Sequence, residues 1–221
     1  MAVKPKFKTW GAILLIVISS LACELGSTLL EATPPDASPI LFQDDFSNAE
    51  SGWERSAQGG RKDYYSGTYH INILSANMFS WSVAQQSMGD VVVAADAAYT
   101  GSAELAEMGV ICRMQNSSDF YFFSIRSDGA YAIFKMYQGS EFFLGMDGYQ
   151  FSPAINSGLN TNHIEARCVG DQLSLSVNGT QLAVVQDSSY QVGDLGLIVG
   201  AFDQPDVNVF FDNFIVSRPE G

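Results

Sequence analysis

The chain has 221 residues, of which 47% are hydrophobic and 12% aromatic, with 24 acidic and 11 basic side chains and a formal charge of −13. This apolar content is too high for intrinsic disorder, and the length fits one domain with or without a tail. The negative charge argues against nucleic acid as a partner and against adsorption to anionic lipid headgroups, because both need a cationic surface. Three cysteines argue against a disulfide scaffold or a zinc ribbon.

The first 22 residues have the pattern of an export signal. Three lysines precede a short apolar run from Gly11 to Ala22, which is shorter than the ~20 residues needed to span a bilayer. The tetrapeptide Ser-Leu-Ala-Cys that ends at Cys23 resembles a bacterial lipobox, although Leu21 lies one place closer to the cysteine than usual. We therefore expect a lipoprotein signal peptide over residues 1–22, with Cys23 lipidated and the exported protein anchored on an extracytoplasmic membrane surface, at the cell surface or in the periplasm. Ordinary secretory cleavage nearby is the alternative.

A tether is expected next. Residues 23–39 contain no aromatic side chain and three prolines, a composition typical of flexible linkers. The expected domain is therefore 40–221. Cleavage before Cys23 would remove three lysines and no acid, leaving eight basic and 24 acidic residues and a net charge of −16.

Residues 40–221 show no sustained helical period. Short alternating or aromatic-rich runs recur between turn residues, which predicts an all-β antiparallel sandwich or barrel with about a dozen strands. The predicted strands are residues 40–46, 68–74, 78–84, 91–99, 109–115, 119–126, 130–137, 162–169, 172–178, 180–186, 195–202 and 207–216.

Two hairpins in the middle of the chain predict how side chains are distributed between faces. If Ser117-Ser118 and Asp128-Gly129 are two-residue turns, Cys112 lies opposite Phe123, and Phe123 lies opposite Phe134. One face is then apolar. The other is mixed and includes a basic and aromatic group, which we name the predicted basic face: Arg113, Phe122, Arg126, Tyr131, Lys135 and Tyr137.

A second pair of hairpins places the remaining cysteine. With turns at Gly170-Asp171 and Asn178-Gly179, Cys168 lies opposite Leu173, and Leu173 opposite Val184. Cys112 and Cys168 then both lie on apolar faces and could bridge within a sheet or across the core. Because export supplies an oxidising compartment, we predict a disulfide between them; two buried free thiols are the alternative.

The order of several segments resembles the concanavalin A-like lectin/glucanase superfamily, and within it the laminin G-like and 3-keto-disaccharide-hydrolase-like domains of bacterial lipoproteins. The segments are Asp44-Asp45-Phe46, 109–113, 120–125 followed by Asp128-Gly129, Asn162-His163-Ile164, 173–179, 196–198 and 211–214. The resemblance implies a two-sheet antiparallel jelly roll whose concave face often meets carbohydrate. It implies the fold more strongly than any activity.

Catalytic motifs are weak. The strand with Glu-x-Asp-x-(x)-Glu spacing of family-16 glycoside hydrolases is absent from the sequence. Glu104 and Glu107 have another spacing and indicate a solvated loop, Glu141 forms no pair, and the two histidines, His70 and His163, have no evident catalytic or zinc partners. The sequence therefore favours a protein that is not an enzyme.

A structural calcium ion is a further hypothesis. Asp44, Asp45 and Asp212 lie near the first and last strands, which commonly lie side by side in jelly rolls, and carboxylates are ligands that Ca²⁺ prefers. The alternative is that these aspartates cap turns. The sequence predicts no other cofactor.

The predicted basic face carries the functional hypothesis. It holds three of the eight basic residues that remain after cleavage, beside three aromatic rings, a composition that suits a cell-surface glycan, including an acidic one. A solvated face, or one covered by a loop such as 138–160, is the alternative. The leading expectation is a surface-tethered, non-catalytic carbohydrate-binding module; the alternatives are an enzyme acting on disaccharides or oligosaccharides and a laminin G-like adhesion domain that binds protein.

Overall fold

The computed structural model of the chain describes residues 39–220. The strands of this part are β1 Ile40–Asp44, β2 Gly60–Tyr65, β3 Thr68–Ile73, β4 Met78–Met88, β5 Val91–Tyr99, β6 Ala106–Asn116, β7 Asp119–Arg126, β8 Ala130–Tyr137, β9 Ser140–Phe143, β10 Gln150–Phe151, β11 Thr161–Val169, β12 Gln172–Val177, β13 Thr180–Gln186, β14 Gly193–Ala201 and β15 Val207–Ser217. Residues 39–220 include no helix long and apolar enough to cross a membrane. The predicted signal peptide, the lipidation site Cys23 and the tether up to residue 38 lie outside the described residues.

The strands form two antiparallel sheets, as the sequence predicts. The eight-stranded sheet has the order β13-β12-β11-β5-β15-β3-β2, with β1 also paired to β15. The seven-stranded sheet has the order β10-β8-β7-β6-β14-β4, with β9 also paired to β8. Alternate side chains of both sheets meet between them in one buried core, which is why the period-2 pattern of the sequence produces a sandwich.

The predicted disulfide is confirmed. Cys112 lies on β6 of the seven-stranded sheet and Cys168 on β11 of the eight-stranded sheet, and both are fully buried. Their bond spans a sequence separation of 56 residues. It therefore crosses the core and joins the two sheets covalently.

The predicted pairing of β6 with β7 is wrong by two residues beyond the turn. Asn116 pairs with Asp119, as the Ser117-Ser118 turn requires, but Cys112 pairs with Tyr121 instead of Phe123. Arg113 has φ of +55° in the irregular stretch between these pairs. The extra residues form a β-bulge, a feature that a strict alternation of side chains cannot predict.

The predicted pairing of β7 with β8 is wrong by one residue. The loop between them has three residues, 127–129, with Gly129 at φ +93°, so that Phe122 rather than Phe123 pairs with Phe134. Because side chains alternate along a strand, this slip moves every β8 side chain to the face opposite the predicted one.

The second pair of hairpins agrees better with the prediction. Cys168 pairs with Leu173 as predicted. Leu173 pairs with Val185 instead of Val184, because the register of β12 and β13 shifts between Leu175 and Ser176.

Candidate functional site

The six residues of the predicted basic face do not share a face, and that prediction is wrong. Arg113 is fully buried at one end of the sandwich. Its guanidinium donates to the carbonyl oxygens of Gly89 (3.2 Å), Gly170 (2.7 Å) and Tyr190 (3.1 Å), and to Asp90 Oδ1 (3.0 Å). It therefore holds three loops together and is not available to a ligand.

The residues on β8 are also engaged within the protein. Lys135 Nζ donates to Asp187 Oδ2 at 2.7 Å, and the Tyr131 hydroxyl donates to the Leu182 carbonyl at 3.1 Å. Tyr137 is half-exposed. The one-residue slip of β8 places Tyr131 on the core side of the sheet and separates it from Phe122 and Arg126 on β7.

The aspartates of the calcium hypothesis accept hydrogen bonds from backbone amides close to them in the chain. Asp44 accepts hydrogen bonds from the amide of Phe46 (2.8 Å) and the indole of Trp53 (2.9 Å). Asp45 and Asp212 accept from amides within two residues downstream. Strands β1 and β15 are neighbours as expected, but within residues 39–220 no three Asp, Glu, His or Cys side chains are arranged to hold a metal ion.

A second apolar cluster covers the outer face of the seven-stranded sheet, away from the core. Its buried members are Ile111, Met114, Phe120, Phe122, Ala132, Phe134, Met136 and Ile198. Strand β9 and the segment after it cover part of this face, where Tyr149 packs against Phe134 with ring centroids 5.7 Å apart. The outer face is therefore apolar and partly roofed rather than basic and open.

A cleft of about 260 Å³ opens at the edge of this cluster. Its lining residues are Asn77, Phe79, Glu107, Glu141, Tyr149, Gly200, Ala201 and Phe202. Gly200 pairs with Phe79 on one side and with Glu107 on the other. A Cβ atom at Gly200 would lie 2.7 Å from the Phe79 ring and 3.1 Å from Glu107 Oε2, so this glycine keeps the floor of the cleft open.

Glu107 is the chemically unusual group of the cleft. It is only 1% exposed. Its Oε1 accepts hydrogen bonds from the hydroxyls of Ser124 and, at 3.0 Å, Tyr149, while Oε2 has no partner in the described part of the chain. Burial raises the pKa of Glu107 to about 7, because removal from water disfavours the charged carboxylate.

A second carboxyl group and three rings complete the cleft. Glu141, on β9, also has a pKa raised by burial, and its charge contributes to the raised pKa of Glu107. The guanidinium of Arg126 lies over the rings of Tyr149 (4.3 Å) and Phe202 (5.4 Å). Arg126 thus orients the aromatic wall, and with Phe122 it is one of two residues of the predicted basic face that lie near this cleft.

The sequence contains a signal for Glu107 that the predicted strand boundary concealed. Strand β6 begins at Ala106, three residues before the predicted start. Glu107, Gly109 and Ile111 then alternate onto the outer face, so Glu107 belongs to a strand and not to a solvated loop. Glu141 gives no such signal, because it lies on the four-residue strand β9, which is not among the strands predicted from the sequence.

Comparisons with known proteins identify the fold. No protein-family model and no curated protein matches the chain. Among solved structures, the carbohydrate-binding module CBM66 from Bacillus subtilis is 15% identical, with a TM-score of 0.57, covering 83% of this chain and 99% of that one. A Bacillus licheniformis β-glucanase is 8% identical (TM-score 0.58; 80% of this chain, 98% of that one). An endo-β-galactosidase from Clostridium perfringens that releases GlcNAcα1-4Gal is 11% identical (TM-score 0.60; 85% and 65%).

These neighbours share a two-sheet antiparallel sandwich with this chain. Because their sequence identity is low, the similarity shows the fold and not the activity. The sequence resemblance and the structural neighbours agree on one architecture. The domain has the jelly-roll fold of the concanavalin A-like lectins and glucanases.

Proposed function

We propose that the protein is a carbohydrate-binding module, exported and anchored through Cys23, that holds a sugar in the cleft beside Glu107. The observation that carries the proposal is Glu107 Oε2, a buried oxygen that has no hydrogen-bond partner within residues 39–220 and belongs to a residue lining a cleft with aromatic walls. Sugar rings pack on aromatic faces and present hydroxyl donors, which is what such an oxygen lacks.

The size and energetics of the cleft fit a small ligand. At about 260 Å³ it is slightly smaller than the ~300–1,000 Å³ typical of ligand pockets, which suits one sugar ring at a time. A buried acceptor without a partner costs about 1–3 kcal/mol, and a donor from the ligand would recover that cost on binding. The solved neighbour named a carbohydrate-binding module supports the same proposal.

Gly200→Ala tests the location of the site. The added methyl group fills the floor between Phe79 and Glu107, so we expect glycans that bind the wild-type protein to bind at least tenfold more weakly. The measurement is a glycan array followed by calorimetry with the full-length protein. Gly89→Ala is the control, since Gly89 contacts Arg113 at the far end of the sandwich.

Two results would contradict the proposal. A wild-type protein that binds no glycan would overturn carbohydrate binding and leave adhesion to protein as the surviving alternative. Unchanged glycan affinity in Gly200→Ala, with an unchanged melting temperature, would overturn the assignment of the cleft.

Glycoside hydrolysis is a second candidate, favoured by the two carboxyl groups in one cleft. Many glycosidases use one carboxylic acid with a raised pKa to protonate the leaving group and a second carboxylate as base or nucleophile. The raised pKa of Glu107 suits the acid, and Glu141 is the second group.

Product analysis separates the two candidates. If the protein is a hydrolase, oligosaccharides that it binds should be cleaved by the wild type and left intact by both Glu107→Gln and Glu141→Gln. Binding without any cleaved product, checked by mass spectrometry, would overturn hydrolysis and support the binding module.

A further inference from the structure

We propose that the cleft recognises an amino sugar through its free ammonium group, with Glu107 Oε2 as the acceptor. The inference rests on the proposed carbohydrate site and names the class of its ligand. It departs from the sequence-based expectation, which included an acidic glycan among the ligands, because Arg113 and Lys135 are engaged elsewhere in the fold.

The charges of the cleft favour a cation. Its lining includes two carboxyl groups, Glu107 and Glu141, and no basic side chain. The nearest base, Arg126, is paired with Asp128 through Nε at 3.1 Å and through Nη2. Because like charges repel, a sugar carboxylate or sulfate would be disfavoured beside these carboxyl groups, while an ammonium group would be attracted.

The aromatic wall favours the same ligand. Phe79, Tyr149 and Phe202 line the cleft, and the faces of such rings attract cations. Arg126 already shows this property, since its guanidinium lies 4.3 Å from the Tyr149 ring centroid. The cleft therefore offers both aromatic rings and carboxyl groups, and each of these attracts an ammonium group.

The hydrogen bonds of Glu107 determine what ammonium binding does to its proton. Oε1 already accepts from Ser124 and Tyr149, so a proton on the carboxyl group resides on Oε2, beside the cleft. An ammonium group can donate to Oε2 only when that proton has left. Binding therefore follows the balanced step COOH + R–NH₃⁺ → COO⁻···⁺H₃N–R + H⁺, with the proton released to solvent.

Glu107 is surrounded by several elements, of which three contribute a titratable or charged group. These groups are Arg126 on β7, Glu141 on β9 and Tyr149 in the segment after β9; the facing positions on β14 and β4 are Gly200 and Phe79. Burial raises the pKa of Tyr149, which keeps its hydroxyl protonated as a donor to Glu107. Of Tyr149 and Glu107, Glu107 is therefore the group that releases a proton at pH 6, and the variants below separate it from Glu141.

Calorimetry at pH 6 in two buffers of different ionisation enthalpy tests the inference with the full-length protein. The probes are a glucosamine tetramer, its N-acetylated counterpart and a glucose tetramer. We expect the glucosamine tetramer to bind at least tenfold more tightly than the other two. It should also release up to about 0.9 proton per site, the fraction that a pKa of about 7 leaves protonated at pH 6.

Variants assign the released proton. Glu107→Gln should abolish both the release and the preference for the amine, whereas Glu104→Gln, an exposed glutamate on the loop before β6, should behave as the wild type. Glu141→Gln, which leaves Glu107 in place, should weaken the preference.

Different results would contradict the recognition of an ammonium group and the binding of carbohydrate. Equal or tighter binding of the acetylated or glucose tetramer, without proton release, would overturn ammonium recognition and leave the carbohydrate site standing. Failure of all three tetramers and of every glycan on the array would overturn both proposals.

Discussion

Replacing Arg113 with methionine should lower the free energy of unfolding by about 3 kcal/mol or more, because it removes several hydrogen bonds from a charged donor, each worth about 1.5–3 kcal/mol. Methionine fills much of the same volume but cannot donate. The carbonyl oxygens of Gly89, Gly170 and Tyr190 then lose their donor, and the bond to Tyr190 is fully buried. Urea denaturation measures the loss.

Two further variants sharpen this test. Arg113→Lys should recover only part of the loss, because one ammonium group cannot reproduce the planar fork of a guanidinium. Arg167→Met is the control, since Arg167 donates to the Glu220 carbonyl near the end of the chain; it should change stability by less than about 0.5 kcal/mol. Equal stability of Arg113→Met and Arg167→Met would show that the hydrogen bonds of Arg113 to the three loops do not stabilise the fold.

Glu107→Gln should become more stable than the wild type as the pH rises. The pKa of Glu107 is about 7 in the fold against 4.5 for the ordinary group. Between these values the unfolded chain loses its proton first, so ionisation favours unfolding and wild-type stability falls with rising pH. A shift of this size corresponds to about 3 kcal/mol, and glutamine mimics the neutral acid without titrating.

The free energy of unfolding of Glu107→Gln is compared with that of the wild type at each pH, so that the contributions of the other titrating groups cancel in the difference. Unfolding free energies of Glu107→Gln and wild type are measured from pH 4 to pH 8, and their difference should grow by about 3 kcal/mol and level off above pH 7. Glu104→Gln, the same substitution at an exposed position, is the control. A flat difference for Glu107→Gln would show that Glu107 ionises as an ordinary glutamate.

The strands follow from the sequence more reliably than their pairing does. All twelve predicted strands exist, because alternation and turn residues are local signals. The missed strands are β2, whose charged residues interrupt the alternation, and the short β9 and β10. Pairing failed where a backbone irregularity intervened, at the bulge around Arg113 and at the three-residue loop ending in Gly129.

The candidate site depends on those same irregularities. One slipped residue on β8 is enough to turn Tyr131 and Lys135 from an expected ligand face toward internal partners. Glu107 and Glu141 are 34 positions apart and come together only because β9 folds back on β8. No local sequence pattern predicts that the two glutamates lie close together. The alternation of apolar and polar residues does predict which side chains are buried in the core, including Cys112 and Cys168.

The pairing of β1 with β15 brings the two ends of the domain together. Ile40 lies opposite Ser217, and the amide of Arg218 donates to the Pro39 carbonyl at 2.7 Å. A short linker could therefore join the ends, and new termini could open at the Ser66-Gly67 turn, giving a circularly permuted domain with the same sheets. Because β1 and β15 belong to the eight-stranded sheet and the cleft lies on the outer face of the other, a reporter protein fused at either end would leave the cleft accessible.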